Sequence, residues 1–192
     1  MNSQVSPYRR HVQAWQDCMN CELCSQRQQV VFARGSIPCD VLFCGEAPGE
    51  SENILGQPFV GPAGKLLDSI VNRAIEHLTY DLSVGFYNLV GCFPQQAKAD
   101  GNHEPPEEAI VACSSKLQQF VAIAKPRLIV CVGKLSQGWL EQGYKHSIKL
   151  PREIKQCHIT HPAAILRAPI VSRGLLVQRA VVTIQQALEE LS

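Results

Sequence analysis

The apolar run Val41 to Cys44 passes directly into Gly45-Glu46-Ala47-Pro48-Gly49, and no other stretch restricts the fold of this chain as strongly. Such a run reads as a buried strand, and in open α/β folds the loop leaving a buried strand is where ligands bind. This loop is long, continuing through Gly56-Gln57-Pro58-Phe59-Val60-Gly61-Pro62-Ala63-Gly64 before a helical pattern begins near Lys65. Gly45, Gly49, Gly56, Gly61 and Gly64 let backbone come close to a ligand. Glu46, Glu50 and Glu52 supply carboxylates, and Phe59 supplies one flat aromatic face. The composition describes a pocket for a planar polar molecule.

The rest of the chain alternates strand and helix patterns. An amphipathic segment over residues 7–17 precedes two short β-rich runs, Gln29 to Phe32 and Val41 to Cys44. Leu66, Leu67, Ile70, Val71, Ala74 and Ile75 then recur at helical spacing. A strand is predicted over Phe86 to Val90, a polar loop over Pro94 to Pro106 and a helix over Glu107 to Val121. Arg127 to Val132 reads as a strand buried on both faces. Lys134 to Leu140 follows as a short helix, Ile154 to Ile159 as a weaker strand delivering Thr160, His161 and Pro162, and Gly174 to Leu191 as a final helix. Strands alternating with helices predict a mainly parallel sheet covered on both faces. The 192 residues suit a single domain, 1–192, with an N-terminal cysteine-bearing segment.

Arg9 and Arg10 are followed by no apolar run of signal-peptide length, and no segment approaches the ~20 apolar residues of a membrane helix. The expectation is a soluble, cytoplasmic, monomeric protein with no membrane partner. Charge is uneven. Between Lys116 and Arg179 there are 11 basic residues against two acids, Glu141 and Glu153, a balance that suits a polyanion such as nucleic acid, although a solvated basic surface has the same composition.

Nine cysteines form no evident disulfide framework. Cys39, Cys44, Cys131 and Cys157 sit in or beside apolar runs and read as reduced core thiols. Cys18-Met19-Asn20-Cys21 is a C-x-x-C pair, Cys92 and Cys113 lie where loops meet regular elements, and four thiolates can converge. Such a set suits zinc or an iron–sulfur cluster, and spacing does not separate them. Cys24 competes as a ligand, and Cys18 with Cys21 as a bare dithiol is the plainer reading.

These motifs, taken in order, resemble the family 4 uracil-DNA glycosylases, the iron–sulfur type. The likeness runs from Cys18 to Gly64 through the C-x-x-C pair, the Val30-Val31-Phe32 run, Gly45-Glu46-Ala47-Pro48-Gly49 and Gly56-Gln57-Pro58-Phe59-Val60-Gly61-Pro62-Ala63-Gly64. It continues with Asn88 and Cys92, with Pro105, Glu107, Glu108 and Cys113, and with His161-Pro162-Ala163-Ala164-Ile165-Leu166-Arg167. The resemblance implies a three-layer α/β/α sandwich around a central, mainly parallel four-stranded sheet. It implies DNA as partner and hydrolytic removal of a flipped-out pyrimidine, most readily uracil, by a monofunctional glycosylase. It also implies a [4Fe–4S] cluster on Cys18, Cys21, Cys92 and Cys113, with Cys24 a bystander.

The same resemblance assigns roles within the site. Phe59 stacks on the base, Asn88 reads its edge, and Gly45, Ala47 and Gly49 line the floor. His161 donates toward a base oxygen, and Glu46 and Glu52 are the catalytic carboxylates. Leu166 is a wedge into the minor groove and Arg167 a phosphate contact. Three positions depart from the family pattern: Asn53 follows Glu52 where Asp is common, Gly91 and Phe93 flank Cys92 where basic residues are common, and the loop from Pro94 to Glu104 is longer, with His103 within it. They leave open a 5-substituted pyrimidine of foreign or phage DNA, excised as a defence. A non-catalytic iron–sulfur DNA-binding or damage-sensing protein is the third reading.

Overall fold

The computed structural model describes residues 5–95, 103–141 and 148–191. Its centre is a sheet of order β1-β3-β2-β4-β5, where β1 is Arg34–Gly35, β2 Val41–Gly45, β3 Val84–Asn88, β4 Leu128–Val132 and β5 Lys155–Ile159. β2 to β5 are parallel, which gives the expected four-stranded parallel sheet. A fifth strand of two residues, β1, adds an antiparallel edge to β3, with Arg34 opposite Phe86 and Gly35 opposite Gly85.

Helices α1 (Pro7–Trp15), α4 (Glu107–Ala124) and α5 (Lys134–Leu140) belong to one face, and α3 (Pro62–Ile75) and α7 (Ile170–Glu189) to the other. Side chains of a strand alternate between faces, and the two cores divide accordingly. Leu42, Cys44, Tyr87 and Ile129 pack with Ile110, Leu117 and Phe120, whereas Val41, Phe43, Phe86 and Val130 pack with Leu67, Ile70, Val181 and Ile184. This is a three-layer α/β/α sandwich. Among the described residues no helix is long and apolar enough to cross a membrane.

Four local features differ from the sequence reading. The Gln29 to Phe32 run, buried at Val30, Val31 and Phe32, is not a strand; Val31 N donates to Gly91 O at 2.7 Å, and pairing to β3 begins only at Arg34. β3 starts two residues early, at Val84. A short helix α2, Glu50–Leu55, occupies what reads as loop; at six residues it is too short for periodicity to reveal, and it starts with Glu50 and Glu52 in its first turn. α7 begins at Ile170, just after Pro169, so Gly174 lies inside the helix.

The sheet order has a functional consequence. From β2 the chain crosses to β3 on one side and later returns to place β4 on the other, so the topological switch lies between the C-terminal ends of β2 and β4, where α/β sheets open a crevice. Register puts Gly45 opposite Asn88 at that edge, and Ile159, the last residue of β5, opposite Val132. Glu46, Gly133 and His161 follow these strand ends within a few residues.

Candidate active site

A cleft of about 720 Å³ opens at this edge, and Glu46, Phe59, Asn88, Gly133, His161 and Arg167 are among the residues that line it. Ala47, Gly49 and Glu52 line it as well. Residues at or just past the ends of four strands, β2 to β5, far apart in sequence, thus share one cleft.

The floor is built by close approach. A Cβ on Gly45 would overlap Asn88 Oδ1 and lie 2.5 Å from Phe59 Cζ, so only a hydrogen there lets the amide of Asn88 and the ring of Phe59 flank the same strand end. Asn88 is 6% exposed at the end of β3. Phe59 is buried and has φ +57°, a left-handed conformation that costs a non-glycine residue about 1–2 kcal/mol and persists only where neighbours enforce it.

His161 caps α6 (Pro162–Arg167), with Nδ1 accepting from Ala163 N at 3.1 Å. That bond assigns the ring proton to Nε2. Burial, reinforced by the positive charge of Arg167 and opposed by Glu52, pushes the imidazole down to about 4, so it is neutral at ordinary pH. The site therefore offers a neutral N–H donor rather than an imidazolium.

The two catalytic carboxylate candidates occupy different situations. Glu46 leans against Gly133 and the start of α5, with Leu135 N donating to Oε1 at 3.3 Å. Gly133 has φ +103°, and a Cβ there would overlap that carboxylate and stand 3.2 Å from His161 Cδ2. Glu52 instead accepts from three backbone amides: Gly49 N (3.1 Å) on Oε2, and Val60 N (2.9 Å) and Gly61 N (2.8 Å) on Oε1. With those oxygens engaged, Glu52 ties the start of α2 to the loop that carries Phe59.

Asn53 lies outside the cleft. It is 3% exposed, and its Oδ1 accepts from Gln28 N at 2.9 Å, away from the base pocket, so this departure from the family pattern does not set pocket size. Gly91 is buried, and a Cβ there would overlap Lys116 Nζ. The basic group beside Cys92 is thus supplied from α4, by a lysine only 2% exposed. The middle of the Pro94 to Glu104 loop, residues 96–102, lies outside the described residues; His103 and Glu104 line the cleft.

Part of the basic balance is engaged within the chain: Lys116 is buried, Lys155 pairs with Glu190 at 3.7 Å, and Arg127 donates to Leu191 O. Among the described residues, Lys134 and Arg167 are the Lys and Arg side chains that line the cleft. Leu166 is 37% exposed on α6 while its neighbour Ile165 is buried, so Leu166 is not the core-facing residue of this helix. Sequence reasoning missed Gly133 and Lys134. The available signal was a glycine directly after the most apolar strand, one step beyond the level of Gly45 and so level with Glu46.

Cys92 and Cys113 are buried in one core cluster, with Cys21 packed against it. Burial raises the Cys21 thiol, and Cys113, Cys18 and Cys24 raise it further; burial pushes Cys92 up to about 11, with Lys116 and Arg27 opposing and Cys113 and Cys21 adding. Arg27 Nη1 also donates to Cys92 Sγ at 3.7 Å. Among the described residues no three Cys, His, Asp or Glu are gathered as a ready metal-ion site. Lys116 and Arg27 beside Cys92 suit an anionic all-cysteine group.

The model of the uracil DNA glycosylase superfamily matches residues 32–184. The chain belongs to that superfamily. Within it the match is to type-4 members: a type-4 uracil-DNA glycosylase of Pyrobaculum aerophilum is 32% identical over 167 residues, 80% of this chain and 81% of that one. One from Saccharolobus solfataricus is 37% identical over 123 residues, 64% of this chain and 54% of that one. The chain spans about half the length of this relative and of one from Sulfurisphaera tokodaii. In fold, it is similar to a Methanosarcina acetivorans protein solved by solution NMR as a candidate uracil DNA glycosylase, with TM-score 0.52 and 12% identity over 82% of this chain and 96% of that one.

Proposed function

We propose that this chain is a monofunctional DNA glycosylase that draws an extruded uracil into the cleft and hydrolyses its N-glycosidic bond, leaving an abasic site. The observation that carries the proposal is the neutral His161, with Nδ1 occupied and its proton on Nε2, in one cleft with the ring of Phe59 and the amide of Asn88. The type-4 relatives supply the base by name.

The chemistry needs an extruded base to be held, read and made a better leaving group. Phe59 stacks on the pyrimidine, and the Asn88 amide, with one acceptor and one donor face, pairs with its edge. As the bond from C1′ to N1 breaks, its electron pair goes to the base and the sugar acquires oxocarbenium character. The His161 N–H then bonds the base oxygen that gathers the negative charge, without a proton having to transfer. Glu46, across Gly133 from His161, faces the opposite charge: its carboxylate offsets the positive sugar and orients the water that adds to C1′. Glu52 contributes by holding Gly49 and the Phe59 loop.

Arg167 contacts a phosphate beside the extruded nucleotide and Leu166 fills the gap left in the stack. Cys18, Cys21, Cys92 and Cys113 are the residues that would hold a [4Fe–4S] cluster. When bound, it would supply a structural cross-link between the segment after α1, the loop after β3 and α4. The molecule works as a monomeric single domain on DNA in the cytoplasm.

The test is incubation of the purified protein with single- and double-stranded oligonucleotides carrying one uracil, followed by alkaline cleavage of abasic sites. Release of uracil, lost in His161→Ala and Asn88→Ala with the fold retained, is the expected result; intact DNA would refute the proposal. Broad visible absorption with about four irons per chain supports the cluster, and zinc in its place would refute it.

A further inference from the structure

We propose that Arg34 is the positioning residue of the base platform: it holds Phe59 in the left-handed backbone conformation from which its ring stacks on the base, and it thereby governs how tightly the base is bound. This rests on the glycosylase reading of the cleft.

Arg34 lies on β1, outside every motif discussed above, between Ala33 and Gly35. Its guanidinium makes four contacts at once. Nε donates to Pro58 O at 2.7 Å, Nη2 donates to Phe59 O at 3.2 Å and to Asp68 Oδ1 at 2.6 Å, and the group lies 3.8 Å from the centroid of the Phe86 ring. Phe86 is stacked on Phe43 at 5.4 Å and meets the Phe59 ring at 6.0 Å and 58°. One side chain therefore grips the two carbonyls on the N-terminal side of the loop and also covers the aromatic ring that backs Phe59.

The other half of the grip is Glu52, which accepts from Val60 N and Gly61 N. Carbonyls of residues 58 and 59 are held from one side and amides of 60 and 61 from the other, with the strained φ of Phe59 between them. A strained residue relaxes unless its surroundings fix it from more than one direction. Arg34 is suited to this because its planar fork presents several donors in fixed geometry while its face stacks on an aromatic ring. A lysine has one donor centre and cannot reach both carbonyls, the carboxylate and the ring together.

The plainer reading is a half-exposed ion pair of Arg34 with Asp68, with side chains 20% and 42% exposed, which carries little stability. The two readings differ in what the neighbouring variants do. Asp68→Asn leaves both carbonyl bonds and the ring contact in place, so it changes little if Arg34 serves Phe59. Arg34→Met removes the grip but retains apolar cover for Phe86.

The experiment measures binding of free uracil, excision of uracil from single-stranded DNA with kcat and KM separated, and thermal stability. The proteins are wild type, Arg34→Met, Arg34→Lys, Asp68→Asn, Phe59→Ala and the double variant Arg34→Met/Phe59→Ala. Base stacking on an aromatic ring is strong enough that Arg34→Met is expected to weaken uracil binding and raise KM about 10-fold, with kcat changed much less. Arg34→Lys recovers only part of this. The double variant binds no more weakly than Phe59→Ala, because Arg34 acts through Phe59. Unchanged uracil binding in Arg34→Met, or losses that multiply in the double variant, would overturn the proposal even where the wild type excises uracil. A wild type that releases no uracil overturns the glycosylase reading itself, and this one with it.

Discussion

Gly133 abuts the carboxylate of Glu46 at the point where the strand order reverses: a Cβ at residue 133 would clash with Oε1. The residue after β4 thus sets the position of the carboxylate that follows β2. Gly133→Ala adds that Cβ at a φ of +103°, strained for any L side chain, and pushes Glu46 away from Leu135 N and from the side facing His161. The expected outcome is a loss of about 1–2 kcal/mol in stability and, because ångström misplacement of a catalytic group is costly, about 10²-fold in kcat. Urea unfolding and single-turnover excision measure the two; full activity in Gly133→Ala would remove Glu46 from the reaction.

The acid dependence of excision follows from His161. An unperturbed histidine would protonate near 6.5, but burial and Arg167 push this one down to about 4. The active form is neutral, with Nδ1 accepting from Ala163 N, so activity is fully present above the folded value and falls only as pH drops through it. The rate of the chemical step is expected to stay level from neutrality to about pH 5 and then decline. An acid limb centred near 6.5 would show that His161 works outside this environment.

Glu46 and Glu52 separate by substitution to glutamine. Glu52→Gln keeps the shape but turns an acceptor into a donor against at least one of the amides of Gly49, Val60 and Gly61, exchanging a charge-assisted bond for a clash of donors. That costs on the order of 2 kcal/mol of stability and loosens the Phe59 loop, raising KM. Glu46→Gln removes the charge opposite the sugar, so kcat falls while stability changes little. Circular dichroism melts alongside kinetics distinguish the two patterns, and a pure kcat loss in Glu52→Gln would return that residue to direct chemistry.

β2 and β4 were legible as short apolar runs ended by turn residues, β3 and β5 less so because they mix in polar residues, and the site was legible because its loops follow those strands. Asn88 and His161 stand out only through the family resemblance, since a lone strand-end Asn or a His before Pro has many ordinary uses. What sequence hid is mostly distance. That Glu52 bonds backbone while Glu46 reaches the switch point depends on where two loops meet, not on local pattern. Asn53 looks like pocket chemistry because it follows Glu52, yet one step along a helix turns a side chain by about 100°, away from the cleft and toward Gln28. Arg34 gave no sequence signal because its partners are carbonyls, which every residue has.

His11 gives the fold an acid limb that reaches the cysteine cluster. The ring is 4% exposed on α1, edge-on to Phe32 at 6.1 Å and 5.9 Å from Phe120, with Nε2 3.3 Å from Tyr87 Oη, while Nδ1 has no hydrogen-bond partner among the described residues. Burial, with the nearby positive charge of Lys116, pushes it down to about 4. The unfolded chain takes up this proton near 6.5 and the folded one refuses it until about 4, so the stability contribution is present above 6.5 and is lost as pH falls between the two. His11→Phe keeps an aromatic ring against Phe32 and Phe120 and removes the titration. Its unfolding midpoint in urea is expected to fall less than that of wild type between pH 7 and pH 5; His161 contributes equally to both proteins and cancels. Because α1 ends three residues before Cys18, undocking it would release Cys18 and Cys21, the N-terminal pair of ligands of the proposed cluster. Visible absorption of the cluster should therefore bleach faster at pH 5 in wild type than in His11→Phe, and equal rates would mean that α1 docking does not protect it.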